Sequence, residues 1–375
     1  MIEYQCVIKA YKDKDKIIRA VDNVSMKINK GEMVFLLGPS GCGKTTFLRL
    51  TNRLERLTSG NIYIDGENSA SYNEVKLRQK MGYVIQQVGL FPNKTVRQNI
   101  GIIPKVQRWP KNKIENRVVE LLEMVNLDPE IFKDRYPAEL SGGQSQRVGV
   151  ARALAADPDI LLMDEPFGAI DPINREQIQN FFMTLQTKLK KTVIFVSHDI
   201  QESIKMADKI ALFSNGKLIQ YSTPLNLLTQ PENDFVSSFF GTDRALKILG
   251  VIKVVDVMNN KPVNIVQYYD SANSALNVIR KENLDSLIVL NNSKPLGYVT
   301  EEELKNEKRG VGELVKAFPT RIKDKHTLKD VLAKMLMYAN PLYIVVNENG
   351  DFEGYISYDD IQKEVTNIYS MDKSS

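Results

Sequence analysis

The chain has 375 residues, 43% of them hydrophobic and 26% charged, with a net charge of +4. That is apolar mass for two domains and a small third, and too weak a basic excess for a nucleic-acid binder, which concentrates far more Lys and Arg. Two cysteines, Cys6 and Cys42, exclude a disulfide framework and suit a reducing cytosol. The N-terminal stretch "MIEYQCVIKAYKDKDK" lacks the apolar core of a signal peptide. No run approaches the ~20 apolar residues of a membrane span. The expectation is a cytosolic chain that meets a membrane only through a partner. Of the 50 Lys and Arg and the 46 Asp and Glu, only 16 and 18 lie beyond residue 250, so the basic excess sits in the first part, where an anionic ligand would be handled.

Along residues 1–240, short apolar runs alternate with helical patterns. "GEMVFLLG", "GYVIQQ", "DILLMDEP" and "KTVIFVSH" are nearly continuous, as strands buried on both faces are. "KTTFLRLTNRLERL" and "IENRVVELLEMVNL" place apolar residues at i, i+3, i+4 and i+7. The pattern predicts an α/β domain.

The first strand-to-helix junction is "GPSGCGKTT", Gly38 to Thr46. Its G-x-x-x-x-G-K-[ST] spacing marks a phosphate-binding loop when a strand precedes it and a helix follows. Glycines let successive N–H groups face one phosphate, and the helix dipole adds to them. In that reading Gly38, Ser40, Gly41, Cys42, Gly43 and Thr46 form the cradle, Lys44 reaches the β- and γ-phosphates, and Thr45 offers a hydroxyl to Mg²⁺. The run "DILLMDEP" ends in Asp164 and Glu165. A buried strand that delivers two acids is costly without a use for them. Asp164 is expected to hold Mg²⁺ and Glu165 to deprotonate an attacking water.

"LSGGQSQRVGVARAL", Leu140 to Leu154, narrows this P-loop NTPase further. With it the chain resembles the ABC ATPases over residues 1 to about 240. The resemblance implies that Ser141, Gly142, Gly143 and Gln144 meet the γ-phosphate held by the opposite subunit of a homodimer. It implies that Gln86 joins the metal to the transporter surface, and that Asp171 in "FGAID" belongs to the loop coupling the two sites. His198 in "VIFVSHD" is implied as the γ-phosphate contact and a partner to Glu165, and Tyr11 as the aromatic stacked on adenine. The stretch "QQVGLFPNKTVRQNIGIIP" is implied as the place where a permease docks, with "NKTV" as its exposed tip.

After Phe240 the pattern changes. Residues 241–250 read as a linker. From residue 251 a unit repeats: Ser271/Thr327, Ala275/Val331, Ile279/Met335 and Val289/Val345 match at an offset of 56, and Gly297/Gly354 at 57. Such a period predicts two copies of a small α+β module, at 251–308 and 309–366, with a tail at 367–375. Each ends in Gly-Tyr-aliphatic-Thr/Ser and an acid, "GYVTEEEL" and "GYISYDDI". The pair resembles tandem CBS domains. In such domains the hydroxyl and acid often meet an adenine nucleotide. Glu303 stands where Asp is usual in the first copy, so the implied ligand residues are Ser357 and Asp360, with Tyr343 and Ile356 framing a base.

An ABC ATPase with fused CBS modules resembles the ATPase subunits of osmoprotectant importers for glycine betaine, carnitine, choline or proline betaine. The implied assembly is a homodimer at the cytoplasmic face of the membrane. It works with permease subunits and, indirectly, a substrate-binding protein, and no nucleic acid is involved. The implied cofactors are ATP and Mg²⁺, with cyclic di-AMP or an adenine nucleotide regulating through the CBS module. The alternative is an importer ATPase for another small solute, such as an amino acid, whose CBS modules only clamp the dimer.

Overall fold

The computed structural model describes residues 1–13, 16–86, 89–168, 170–260, 264–305, 309–340 and 342–372. The chain divides into two compact units. One comprises Met1–Leu227 with Pro231–Phe240, the other Leu228–Gln230 with the chain from Gly241 onward.

The described residues of the first unit form ten strands: β1 (Ile2–Asp13), β2 (Lys16–Ile28), β3 (Met33–Leu37), β4 (Ser59–Ile64), β5 (Glu67–Asn68), β6 (Met81–Val84), β7 (Ile160–Asp164), β8 (Thr192–Val196), β9 (Lys209–Ser214) and β10 (Lys217–Ser222). They form an antiparallel sheet of order β2-β1-β4-β5 and a six-stranded sheet of order β10-β9-β3-β8-β7-β6. From β9 to β6 the second sheet is parallel throughout; only β10 runs against it. Every residue of β3, β7 and β8 is buried, which is why these strands read as unbroken apolar runs. Parallel strands put all their carboxyl ends on one edge. Leu36 pairs with Val196, and Val196 with Asp164, so the phosphate loop, the two acids and the histidine turn leave the sheet side by side.

The second unit repeats one motif. β11 (Ile265–Gln267), β12 (Ser286–Asn291) and β13 (Lys294–Thr300) form one three-stranded sheet. β14 (Ile322–Lys323), β15 (Leu342–Val346) and β16 (Phe352–Ser357) form the other. In both, the first pair is parallel and the second antiparallel. Side chains alternate across β12. Leu287 and Val289 enter the core beneath the helix Ala272–Glu282. Ile288 and Leu290 face the other way, into a cluster with Ile344, Val346 and Tyr355. Residues 241–250, read as a linker, carry a helix, Arg244–Leu249, with Ile248 and Leu249 buried.

The leader of each copy pairs with the other copy. Asn259 exchanges both backbone hydrogen bonds with Tyr355, at 2.8 and 2.9 Å, and Lys316 does the same with Tyr298, also at 2.8 and 2.9 Å. Val254 N–H likewise reaches the His326 carbonyl at 2.9 Å, and Val311 N–H reaches that of Asp270 at 3.1 Å. This exchange explains the glycine before each repeated tyrosine. A Cβ at Gly297 would lie 2.0 Å from the Lys316 carbonyl oxygen, and one at Gly354 would lie 2.8 Å from that of Asn259. Gly297→Ala is therefore expected to destabilise this unit by about 1–3 kcal/mol, as overpacking does. Gly310→Ala, whose nearest outside atom is 4.0 Å away, serves as the control. Chemical denaturation followed at the unit's own transition checks both.

Candidate nucleotide site

The phosphate loop turns through two glycines that no other residue replaces. Gly38 has φ +143°, and a Cβ there would sit 2.1 Å from the Phe213 carbonyl oxygen; Gly43 has φ +102°, and its Cβ would sit 2.0 Å from that of Ala20. Gly43 starts the helix Lys44–Thr51, which has no side-chain cap and no acid in its first turn. Its N–H groups and dipole are left for an anion. Lys44 is buried, and its ammonium donates to the carbonyls of Gly38 and Pro39 at 2.7 and 2.8 Å. The positive charge is thus parked inside the loop by neutral acceptors, available to phosphate oxygens. Burial pushes the Cys42 thiol up, against the pull of Lys44, and the cysteine packs beneath the loop, in the core of the unit.

A cleft of about 640 Å³ opens above this loop. Ser40, Gly41, Gly43, Lys44, Thr45 and Thr46 line it, and from the neighbouring strand ends come Gln86, Glu165 and His198. Ala20, which carries no sequence signal, lines it too. Thr45 Oγ1 donates to Asp164 Oδ1 at 2.9 Å. Burial raises the Asp164 carboxyl above the usual range; the Thr45 hydroxyl and the Arg49 guanidinium act against that, and the Glu165 charge adds to it. Gln86 Nε2 donates to Glu165 Oε2 at 2.8 Å, and His198 Nδ1 lies 3.5 Å from the same oxygen. Glu165 is held at φ +46°, a left-handed backbone that costs a non-glycine residue on the order of 1 kcal/mol. That turn swings its carboxylate out of line with the strand and toward Gln86 and His198.

Thr45, Asp164 and Gln86 offer a hydroxyl, a carboxylate and a carboxamide. Such hard oxygen donors fit Mg²⁺, which keeps waters and takes further oxygens from phosphates. Among the described residues no three His, Cys, Asp or Glu gather round one point, so the donor set fits a metal that arrives with its nucleotide.

Other predicted residues lie apart from the cleft. Tyr11 is half exposed on β1, with Lys9 Nζ 4.6 Å from its ring centroid, and is not among the lining residues. Ser141 caps the helix Gly142–Leu154 through a reciprocal bond with Gln144. Ser141, Gly142, Gly143 and Gln144 do not line the same chain's cleft. Asp171 is exposed, and its carbonyl accepts from Arg175 N–H at 2.9 Å; Ala169, within the same "FGAID" string, and Gln87, beside Gln86, lie outside the described residues. The stretch "NKTV" is exposed only at Asn93; Lys94 and Thr95 are half-buried. Thr95 caps the helix Val96–Ile100 with a capping box, and Val96 is fully buried. The apolar exposure lies beside it instead, in a 470 Å³ groove lined by Leu54, Val75, Tyr83, Phe91, Ile103 and Val106. Sequence periodicity missed Tyr83 and Arg49, which approach Asp164 Oδ2 at 3.4 and 3.8 Å.

In the second unit Tyr343 and Ile356 are fully buried, and the Tyr343 hydroxyl donates to the Lys334 carbonyl at 3.2 Å. They fill the module's interior, which corrects their reading as a frame for a base. Ser357 and Asp360 bond each other, Oγ to Oδ2 at 2.6 Å, at the start of the helix Tyr358–Asp372. Thr300 and Glu303 do the same one copy earlier, with Lys316 added. Burial raises the Glu303 carboxyl, but the Lys316 ammonium and the Thr300 hydroxyl and N–H outweigh it and hold it at about 2.

A family model for ABC transporters matches residues 21–168, and one for CBS domains matches residues 254–310 and 311–367. The osmoprotectant import ATP-binding protein OsmV of Salmonella typhimurium is 45% identical over 361 residues, 96% of this chain and 94% of that protein. This chain belongs to the ABC transporter ATP-binding proteins, with tandem CBS domains. The glycine betaine/carnitine/choline transport ATP-binding protein OpuCA of Bacillus subtilis is 42% identical, over 95% of this chain and 94% of its own. Among solved structures, the dimeric ATP-binding cassette MJ0796, in a post-hydrolysis state with ADP and phosphate, is 34% identical with a TM-score of 0.54. It covers 60% of this chain and 99% of its own. The parallel sheet and cleft described above are thus those of an ABC ATPase.

Glu303 has a pH consequence. Its carboxyl is held at about 2, below the ordinary 4.5. The resulting stability is complete above pH 4.5 and is lost as pH falls toward 2. Glu303→Gln is expected to flatten that acid limb in pH-dependent denaturation of the C-terminal unit, and to leave the limb above pH 6 unchanged.

Proposed function

We propose that this protein hydrolyses ATP to power the import of a quaternary-ammonium osmoprotectant through a separate membrane permease. The observation that carries the reading is the convergence of Lys44, Thr45–Asp164 and Gln86–Glu165–His198 on one cleft, in a chain alike over nearly its whole length to osmoprotectant import ATP-binding proteins.

Lys44 and the N–H groups of the phosphate loop bind the phosphates, and Tyr11 stacks on the base from the β1–β2 ribbon. Thr45, Asp164 and Gln86 hold Mg²⁺, which supplies charge neutralisation on the β- and γ-phosphates when bound. Glu165 accepts a proton from the attacking water while Gln86 keeps its carboxylate in place. His198, with a mostly exposed imidazole, contacts the γ-phosphate. Ser141–Gln144 lie away from this cleft because their phosphate belongs to the second subunit of a homodimer, which Asp171 helps to couple. The apolar groove beside Phe91 seats the permease. So seated, the chain works at the cytoplasmic face of the membrane; no helix among the described residues is long and apolar enough to cross it.

The CBS module is the regulatory input, with cyclic di-AMP or an adenine nucleotide as its ligand. Ser357 and Asp360 would exchange their mutual bond for ribose and phosphate contacts. One observation favours a second reading, a dimer clamp without ligand: both hydroxyl–acid pairs are already closed as helix caps. Calorimetric titration of the full chain with cyclic di-AMP and with ATP analogues separates the two, since a clamp gives no heat attributable to the module.

Glu165→Gln is expected to bind ATP normally, to lose hydrolysis by roughly a hundredfold or more, and to accumulate a closed dimer by size-exclusion chromatography. Normal turnover in this variant overturns the assignment of the base. Uptake of labelled betaine, carnitine and choline by the reconstituted complex tests the substrate class.

A further inference from the structure

One buried acid beside the cleft has no part in the reading above. Glu202 lies on the helix Ile200–Met206 and is only 6% exposed. Ser197 Oγ donates to its Oε2 in a short bond, and Gln179 Nε2 approaches its Oε1 at 3.4 Å. Asp199 N–H in turn donates to Ser197 Oγ at 3.0 Å. The hydrogen bonds therefore run one way, from the Asp199 amide through the Ser197 hydroxyl into the Glu202 carboxylate. His198 is the residue between the two links. Its backbone is pinned on both sides while its imidazole stays outside, facing Glu165.

We propose that Glu202 is a positioning residue for His198: its buried carboxylate anchors the Ser197–Asp199 turn from behind and so sets the imidazole against Glu165. The inference rests on the reading of Glu165 and His198 as the hydrolytic pair. Arg175 carries the same network onward. Its Nη1 lies 3.5 Å from Asp199 Oδ2, and its Nη2 donates to the Ile170 carbonyl at 3.0 Å, in the loop that follows Glu165. A small cavity of about 10 Å³, bordered by Glu165, Arg175, Ser197, His198, Asp199 and Glu202, marks where these elements meet. The turn bearing the histidine and the loop leaving the glutamate are thus held by one set of side chains.

A buried carboxylate is an expensive anchor where a carboxamide would fill the same space. Burial pushes Glu202 up to about 7; the Ser197 hydroxyl bond opposes this, the Asp199 charge adds to it, and the Gln179 amide and the Arg175 guanidinium oppose it. Those are the charged and polar groups that face it, from its own turn and from the helix Pro172–Leu189, together with Glu165 and His198 across the small cavity. The anchor strengthens as Glu202 loses its proton near neutral pH, because an ionised acceptor holds Ser197 more tightly.

The chain has two histidines, so the test is spectroscopic. In the full chain labelled at histidine Cε1, His326→Gln assigns the His198 resonance. Titrated between pH 5 and 8.5, wild-type His198 is expected to show a second inflection near pH 7, and Glu202→Gln to remove it. Glu202→Gln is also expected to lower kcat by about tenfold with KM for Mg-ATP within about twofold, the deficit growing from pH 6 to pH 8. If Glu202→Gln fails to fold, Ser197→Ala breaks the same link and is expected to remove the same inflection. An unchanged His198 titration in the folded variants, with a pH-independent loss of kcat, overturns the proposal. If Glu165→Gln turns over normally while the inflection still depends on Glu202, the hydrolytic assignment falls and the positioning stands.

Discussion

The parallel ladder β3-β8-β7-β6 is the interaction on which the rest of the first unit depends. Its register sets Leu36, Val196 and Asp164 level, with Val84 opposite Met163. A one-residue slip would turn every side chain of the slipped strand to the other face and carry Asp164 away from Thr45. Its three inner strands, β3, β8 and β7, are buried throughout, so their hydrogen bonds have no water to exchange with and the register is strongly specified. Reactive groups emerge at the carboxyl ends of the strands or just past them, where the chain is released into loops. Ligand sites of open α/β sheets lie at that edge for this reason.

Within that edge, two devices bring the side chains to their places. Glycines at 38 and 43 let the phosphate loop approach the Phe213 and Ala20 carbonyls more closely than any Cβ allows. The left-handed turn at Glu165 bends the chain immediately after β7, so that adjacent residues serve different tasks: Asp164 is buried against Thr45, while Glu165 meets Gln86 and His198. Strain at Glu165 is tolerated because its N–H bonds to the Val196 carbonyl at 3.0 Å and its carboxylate is held by Gln86.

The second unit rests on a different constraint, the exchange of leaders between its two copies. Each leader closes the other copy's sheet, so neither copy is complete alone. The repeated Gly-Tyr pair belongs to that closure, and the hydroxyl–acid pairs that follow it cap helices. The boundary expected between residues 308 and 309 is therefore a boundary in sequence; in space the two copies interlock.

Strings whose chemistry is local were legible directly. The glycine-lysine spacing of residues 38–46, the acids closing "DILLMDEP" and the apolar runs of β3, β7 and β8 each state their structure, because backbone freedom, charge and burial are properties of single residues and near neighbours. The repeat at an offset of 56 likewise announced two modules. Contacts between distant residues were not legible: Ala20 at the cleft, Tyr83 and Arg49 at Asp164, Glu202 behind His198. Tyr343 and Ile356 misled because an aromatic and an aliphatic side chain facing each other across two strands read alike on a ligand face and in a core. The sequence by itself determined the fold class, the family and the kinds of group that handle a nucleotide. Only the tertiary structure decided which of those groups meet, because distances between residues 86, 165, 198 and 202 are set by strand order and register, and neither is written in any one stretch of chain.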